Sequence, residues 1–202
     1  MIKLYGHPMS TCTRKVLMTL AETSTPHELV LVDFAKAEHK QPAHLARQPF
    51  GQLPALEDDG FAMYESRAMA RYVAEKANSP LMPKGLRERA KVEQWLSVES
   101  ANFTPHAMKF VYHHIMKREQ DATVLETAAT GLGRALDVME SQLATTTFIA
   151  GEDLSIADIA FMPYLEYVWA TPAKEQITAH PRVTAWWNRI SERPTWRTIA
   201  GR

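Results

Sequence analysis

Residues 2–22 read IKLYGHPMSTCTRKVLMTLAE, and the fold class turns on them. IKLY (2–5) is a short apolar run that Gly6 and Pro8 bring to an end. TRKVLMTLAE (13–22) sets Val16, Leu17, Leu20 and Ala21 on one helical face. Pro26 breaks the chain before ELVLVD (28–33), which reads as a buried strand. Strand, helix and strand in that order make a βαβ unit, whose strands are expected to run parallel.

Downstream, residues 41–47 predict a short helix. LPALEDDGFAMY (53–64) reads as two strands around a tight turn at Asp58, Asp59 and Gly60. ESRAMARYVAEK (65–76) predicts a helix with Ala68, Met69, Tyr72 and Val73 inward. The order over residues 1–77 is therefore β-α-β-α-β-β-α. NSPLMPKGL (78–86), with two prolines and a glycine, reads as a linker. From 87 to 202 the chain suits helices alone, in segments reaching about 118 and then over 122–144, 155–169 and 182–192. The expected architecture is α/β plus all-α.

Composition narrows the function. Lys plus Arg and Asp plus Glu stand at 23 each, so net charge gives no reason to expect nucleic acid or an anionic membrane as partner. One cysteine allows no internal disulfide and fits a reducing compartment. MIKLYGHP lacks the apolar run of a signal peptide, and no apolar stretch approaches the roughly 18–20 residues of a membrane span. The expectation is a soluble cytoplasmic protein.

Several short stretches carry candidate chemistry. In LSIADIAF (154–161), Ser155 and Asp158 have capping-box spacing, and Leu154 and Ile159 that of a hydrophobic staple, so this stretch is assigned to folding. Glu65 and Ser66 open a helix, where they either cap it or form an anion site in which Glu65 also meets an ammonium. His39 and Lys40 are either solvated or bind a carboxylate. Pro54 belongs at a strand end, with trans as the default for its peptide bond. No His, Cys, Asp and Glu set has metal-ligand spacing, and the adjacent His113 and His114 diverge on a helix, so no metal is expected. Ser10 or Thr11 is a natural N-cap for the first helix, and a thiolate brought to that helix end gains from the dipole and from a donated hydrogen bond. Cys12 is a second candidate there, but C-x-x-C is absent, which argues against thioredoxin-type exchange.

Taken together, residues 2–22, EHK (38–40), RQPFGQLPALEDDGFAMYESRAMARYV (47–73) and GEDLSIADIAFMPYL (151–165) resemble the soluble glutathione transferases, the phi class most closely. The resemblance implies a thioredoxin-like domain that binds glutathione and a helical domain that completes a pocket for a small hydrophobic electrophile. It implies that Ser10 donates to the glutathione thiolate. It gives His39 and Lys40 the glycyl carboxylate, Gln52 and Leu53 the cysteinyl unit, and Pro54 a cis bond. Glu65 and Ser66 then hold the γ-glutamyl end, with Arg67 in support. A homodimer follows from the same likeness, with Phe50 a candidate interface anchor. For the electrophile wall, Met9, Phe34, Phe103, His106, Phe110 and Tyr112 are candidates.

Two features depart from the class. Gln48 stands where phi sequences usually carry Asn, and Cys12 is not a usual phi residue. The alternatives are a zeta-like isomerase, a Cys12-dependent thiol transferase, or a non-catalytic module that binds glutathione or another ligand.

Overall fold

The computed structural model describes all 202 residues, which fall into two compact units: Met1–Ser79 with Gly201–Arg202, and Pro80–Ala200. The division lies inside the proline-rich segment 78–86.

The first unit is built on a four-stranded sheet. Its strands are β1 (Ile2–Gly6), β2 (His27–Leu31), β3 (Ala55–Asp58) and β4 (Phe61–Tyr64). They lie in the order β2-β1-β3-β4. β1 and β2 are parallel, and β1–β3 and β3–β4 antiparallel. Helices α1 (Thr11–Glu22), α2 (Pro42–Leu45) and α3 (Ser66–Lys76) complete the unit. Ile2, Leu4 and Leu56 from the central strands meet Val16 and Leu20 of α1 and Met69 and Val73 of α3 in one fully buried cluster. Burial of such aliphatic side chains supplies the main drive for packing helices on the sheet.

Two details differ from the sequence reading. The run 28–33 is not a buried strand. β2 lies at the sheet edge with only β1 for a neighbour, and Leu31 is 59% exposed. An apolar run marks β-propensity, and only the strand order decides which strand is covered. In α3 the inward residues are Met69, Ala70, Val73 and Ala74, while Ala68 and Tyr72 are half-buried. Tyr72 turns aside because its hydroxyl donates to Asp58 at 2.7 Å, beside the Lys76 ammonium.

The second unit is helical. α4 (Leu86–Val98) runs through a π-helical turn, Glu99–Phe103, into α5 (Thr104–Phe110) and a second π turn, Val111–Ile115. Pro105 explains the first widening. It has no N–H and its ring crowds the carbonyl a turn earlier, so Thr104 reaches back five residues to the Glu99 carbonyl. The helical path ends at Ile115, three residues short of the expected 118. α6 (Ala122–Gln142), α7 (Ile156–Trp169) and α9 (Pro181–Ser191) match expected segments, and α8 (Lys174–Thr178) and α10 (Pro194–Ala200) were not anticipated, being only 5 and 7 residues long. Phe161 of α7 sits between Phe103 at 5.1 Å, Trp186 at 5.9 Å and Trp95 at 6.4 Å, an aromatic core. No helix is long and apolar enough to cross a membrane.

The start of α7 is a capping box. The Ser155 hydroxyl accepts from the Ala157 N–H at 3.2 Å and donates to Asp158 at 2.9 Å, and Asp158 also takes the Ser155 N–H. The other Asp158 oxygen takes the Ile149 N–H at 2.8 Å and the Trp186 indole at 2.9 Å. Burial pushes the Asp158 carboxyl above its ordinary range, and these donors oppose that shift.

Candidate active site

Strand register gathers the candidate residues of the first unit. Tyr5 of β1 pairs with Ala55 of β3, and Ala55 with Tyr64 of β4, while Gly6 lies beside Leu31 of β2. The carboxyl ends of β1, β2 and β4 and the amino end of β3 therefore share one end of the sheet. The chain leaving β1 carries Met9 and Ser10, that leaving β2 carries Phe34, His39 and Lys40, and that leaving β4 carries Glu65 and Ser66. Gln52, Leu53 and Pro54 lead into β3. Ligands in open α/β sheets bind beyond the carboxyl ends of strands.

Ser10 is the N-cap of α1. Its extended backbone (φ −72°, ψ 125°) starts the helix, and its hydroxyl oxygen accepts from the Thr13 N–H at 3.3 Å. The hydroxyl hydrogen has no acceptor in the chain. The first turn of α1 contains no acidic residue, so no carboxylate offsets the positive helix end. The loop before it is stiff. Arg14 Nε donates to the Pro8 carbonyl at 2.7 Å, and the His7 ring accepts from the Met9 N–H at 3.2 Å. Gly6 is needed because a Cβ there would stand 2.6 Å from the Thr13 methyl. Thr11 and Cys12 occupy the first turn, both half-buried.

Glu65 precedes α3 in a backbone conformation with φ 75° and ψ 105°. Such a conformation costs a non-glycine residue about 1–3 kcal/mol, and it clusters at functional sites. Ser66, only 4% exposed, and half-buried Arg67 start the helix. The first turn carries no acidic residue, so no carboxylate offsets its positive end.

His39 and Lys40 end a 3₁₀ turn, Glu38–Lys40. The His39 ring meets Phe34 edge-on at 5.0 Å, and Phe34 meets the His7 ring at 5.5 Å. Burial first, then the Lys40 charge and His44, hold His39 below its ordinary pKa. Lys40 donates to the Phe50 carbonyl at 3.2 Å. Gly51 takes φ 60°, and a Cβ there would fall 2.8 Å from the Lys40 amine. The Leu53–Pro54 peptide is cis, not the trans default.

The electrophile candidates belong to both units. Met9 and Phe34 are exposed in the first unit, at 62% and 46%. In the helical unit Phe103 is fully buried against Phe161, and Phe110 lies parallel to His114 at 6.5 Å. Tyr112 carries the Arg118 guanidinium 5.6 Å from its ring. His106 packs on Gly131 and lines a cavity of about 570 Å³ with Asn102, Thr130 and Arg134. His113 and His114 do not diverge fully, their rings meeting edge-on at 4.7 Å. No group of three His, Cys, Asp or Glu residues is placed to hold a metal.

Sequence reasoning passed over His44 and noted Gln48 only as a departure. Both are buried and both hydrogen-bond the main chain of Gln52. Their spacing of four residues at a helix end was the available signal.

Comparison with known proteins agrees along the whole chain. Residues 1–75 match the family described as the N-terminal domain of glutathione S-transferase, and residues 103–194 match its C-terminal domain. Glutathione S-transferase F9 of Arabidopsis thaliana is 38% identical over 208 residues, covering 98% of this chain and 96% of the relative. The crystal structure of glutathione transferase F7 from Populus trichocarpa superposes with a TM-score of 0.94 at 40% identity, covering 100% of this chain and 98% of that one. A structure of glutathione S-transferase-I bound with lactoylglutathione gives 0.92 at 34% identity, over 99% and 98%. Plant phi-class members are among the relatives matched over nearly its full length, and the chain belongs to the glutathione S-transferase family.

Proposed function

We propose that this chain conjugates the glutathione thiolate to small hydrophobic electrophiles, with the Ser10 hydroxyl stabilising the thiolate. The observation that carries the reading is the uncommitted hydroxyl hydrogen of Ser10 at a helix end that no acid offsets. A relative of known structure holds lactoylglutathione, a glutathione derivative. Only the thiolate is a good nucleophile, and a free thiol has a pKa of about 8.5. Lowering that by about two units needs roughly 2.7 kcal/mol. A hydrogen bond to a charged group gives about 1.5–3 kcal/mol, and a helix N-terminus about 0.3–1 more. Together they suffice, with no formal base at Ser10.

The remaining roles follow from charge. Glu65 meets the glutathione ammonium. Ser66 and the first N–H groups of α3 take the γ-glutamyl carboxylate, with Arg67 behind them. Leu53, between Gln52 and Pro54, offers its main chain to the cysteinyl unit. At the glycyl carboxylate Lys40 supplies the charge and His39 a ring donor. Met9 and Phe34 offer apolar contact to the electrophile, and His106, Phe110 and Tyr112 are candidates on the helical unit. Phe103 contributes behind them as packing against Phe161.

The enzyme works as a homodimer in the reducing cytoplasm on this reading. Phe50 is 64% exposed and its ring meets that of Tyr64 edge-on at 6.0 Å, which suits an anchor in a partner copy. Retention on glutathione-agarose together with turnover of a chlorodinitrobenzene substrate tests the whole reading. Retention without turnover would make it a binding module, and turnover only of disulfides a thiol transferase. A sedimenting species near the chain mass of 22.9 kDa would refute the dimer.

A further inference from the structure

The loop before the cis bond is held from beneath by two buried side chains that no catalytic role explains. α2 continues past Leu45 as a helical turn in which the Gln48 N–H donates to the His44 carbonyl at 2.9 Å. That turn puts His44 and Gln48 on one face. His44 is 5% exposed and Gln48 2%. Both spend their polar ends on a single residue. Gln48 Oε1 accepts from the Gln52 N–H at 3.1 Å, and His44 Nε2 donates to the Gln52 carbonyl at 2.7 Å. The neighbouring groups are consumed as well. The Gly51 N–H donates to the Gln48 carbonyl at 2.9 Å, and the Phe50 carbonyl accepts from Lys40. Pro54 has no N–H. Next to the cis bond, the N–H and carbonyl of Leu53 have no partner in the chain; farther back the Phe50 N–H and the Gly51 carbonyl are open as well.

We infer that His44 and Gln48 are positioning residues for glutathione: by fixing both peptide groups of Gln52 they aim the main chain of Leu53 at the extended tripeptide. This rests on the proposed function. An extended ligand binds a lone residue by two main-chain hydrogen bonds, as an added strand does. Each weakens steeply with misalignment. Neither His44 nor Gln48 touches the reacting sulfur, so their loss falls on ligand binding and not on the chemical step. Gln48 is longer by one methylene than the Asn usual in the class, and in this chain that length brings its oxygen to the Gln52 N–H.

The test is steady-state kinetics with calorimetric titration of glutathione on the full chain. Gln48→Met keeps the volume and removes the acceptor. It is expected to raise Kd and KM for glutathione roughly tenfold, the loss of about one aligned hydrogen bond, with kcat at saturation moving less than about threefold. Gln48→Glu retains an acceptor and should return Kd to within about threefold of wild type. His44→Leu should match Gln48→Met, and His44→Gln, which keeps a donor near the Nε2 position, should recover. A folded Gln48→Met or His44→Leu protein with wild-type Kd overturns the inference, as does a loss in kcat alone. If Gln48→Met does not fold, the His44 pair decides by itself. Failure of the wild type to bind glutathione would instead overturn the functional reading from which this one follows.

Discussion

Two helices in this molecule are capped by a serine hydroxyl, and the two serines are held in opposite ways. Ser155 is 4% exposed, and its hydroxyl both accepts from Ala157 and donates to Asp158. Asp158 stands in the first turn as the anion that the helix end favours. Ser10 is half-buried, accepts one N–H at 3.3 Å, and has no acid in its first turn. At α7 every orphan group is satisfied inside the chain. At α1 a donor and a positive helix end are left over. A finished cap stabilises the fold, and an unfinished one has interaction energy to spend on a ligand.

The comparison breaks most visibly at Asp158. Asp158→Ala would orphan the Ile149 and Ser155 N–H groups and the Trp186 indole, all buried. At about 1 kcal/mol or more for each unsatisfied buried donor, stability should fall by at least about 3 kcal/mol, read from the urea midpoint. A midpoint unchanged within error would show that the network is not what holds α7.

Ser10→Ala comes next. Removing the donor raises the pKa of bound glutathione's thiol, so less thiolate is present near neutrality. The rising limb of the rate profile should move to higher pH by about one to two units, with turnover at pH 6.5 down roughly 10- to 100-fold. At pH well above the new pKa the thiol is ionised in both proteins, and the gap should close. Thiolate absorbance of the complex tracks the same shift. A uniform loss at every pH would remove Ser10 from the thiolate.

Ser155→Ala sharpens the contrast from the other side. Loss of a cap costs about 0.5–2 kcal/mol, so the melting temperature should fall while calorimetric affinity for glutathione stays near wild type. Collapse of affinity with unchanged melting would reverse the assignments of the two serines.

Both caps are legible in the sequence, because Ser155 with Asp158 and Ser10 before an apolar-periodic run each follow local rules. The β-α-β-α-β-β-α order is legible for the same reason, since period and punctuation are local. What separates the two serines is not local. Asp158 is completed by Ile149 and by Trp186, which lies 28 residues away, and neither pairing follows from period or spacing. β2 was misjudged as buried because edge position depends on β3, which arrives 24 residues later. The resemblance supplied the roles of Glu65 and Pro54, while the positive φ of Glu65 and the clasp on Gln52 appear only in three dimensions.

The smallest expected effect belongs to Cys12, and it is the one that separates a serine-type enzyme from a cysteine-type one. Cys12 is half-buried in the first turn of α1, two residues beyond the cap, and forms no disulfide. Cys12 lies inside the helix, while Ser10 is the cap itself, with an extended backbone at the helix mouth. A hydroxyl at the cap needs only to rotate to meet a ligand sulfur. Cys12→Ser alters one atom and preserves side-chain size, so conjugation turnover should stay within about twofold of wild type, a difference under about 0.5 kcal/mol. Assay of Cys12→Ser beside Ser10→Ala on one electrophile decides the matter. Turnover abolished by Cys12→Ser and spared by Ser10→Ala would mean that Cys12, and not the cap hydroxyl, supports the chemistry, placing the chain with the cysteine-type transferases, and the open cap at Ser10 would then be no more than an unfinished helix end.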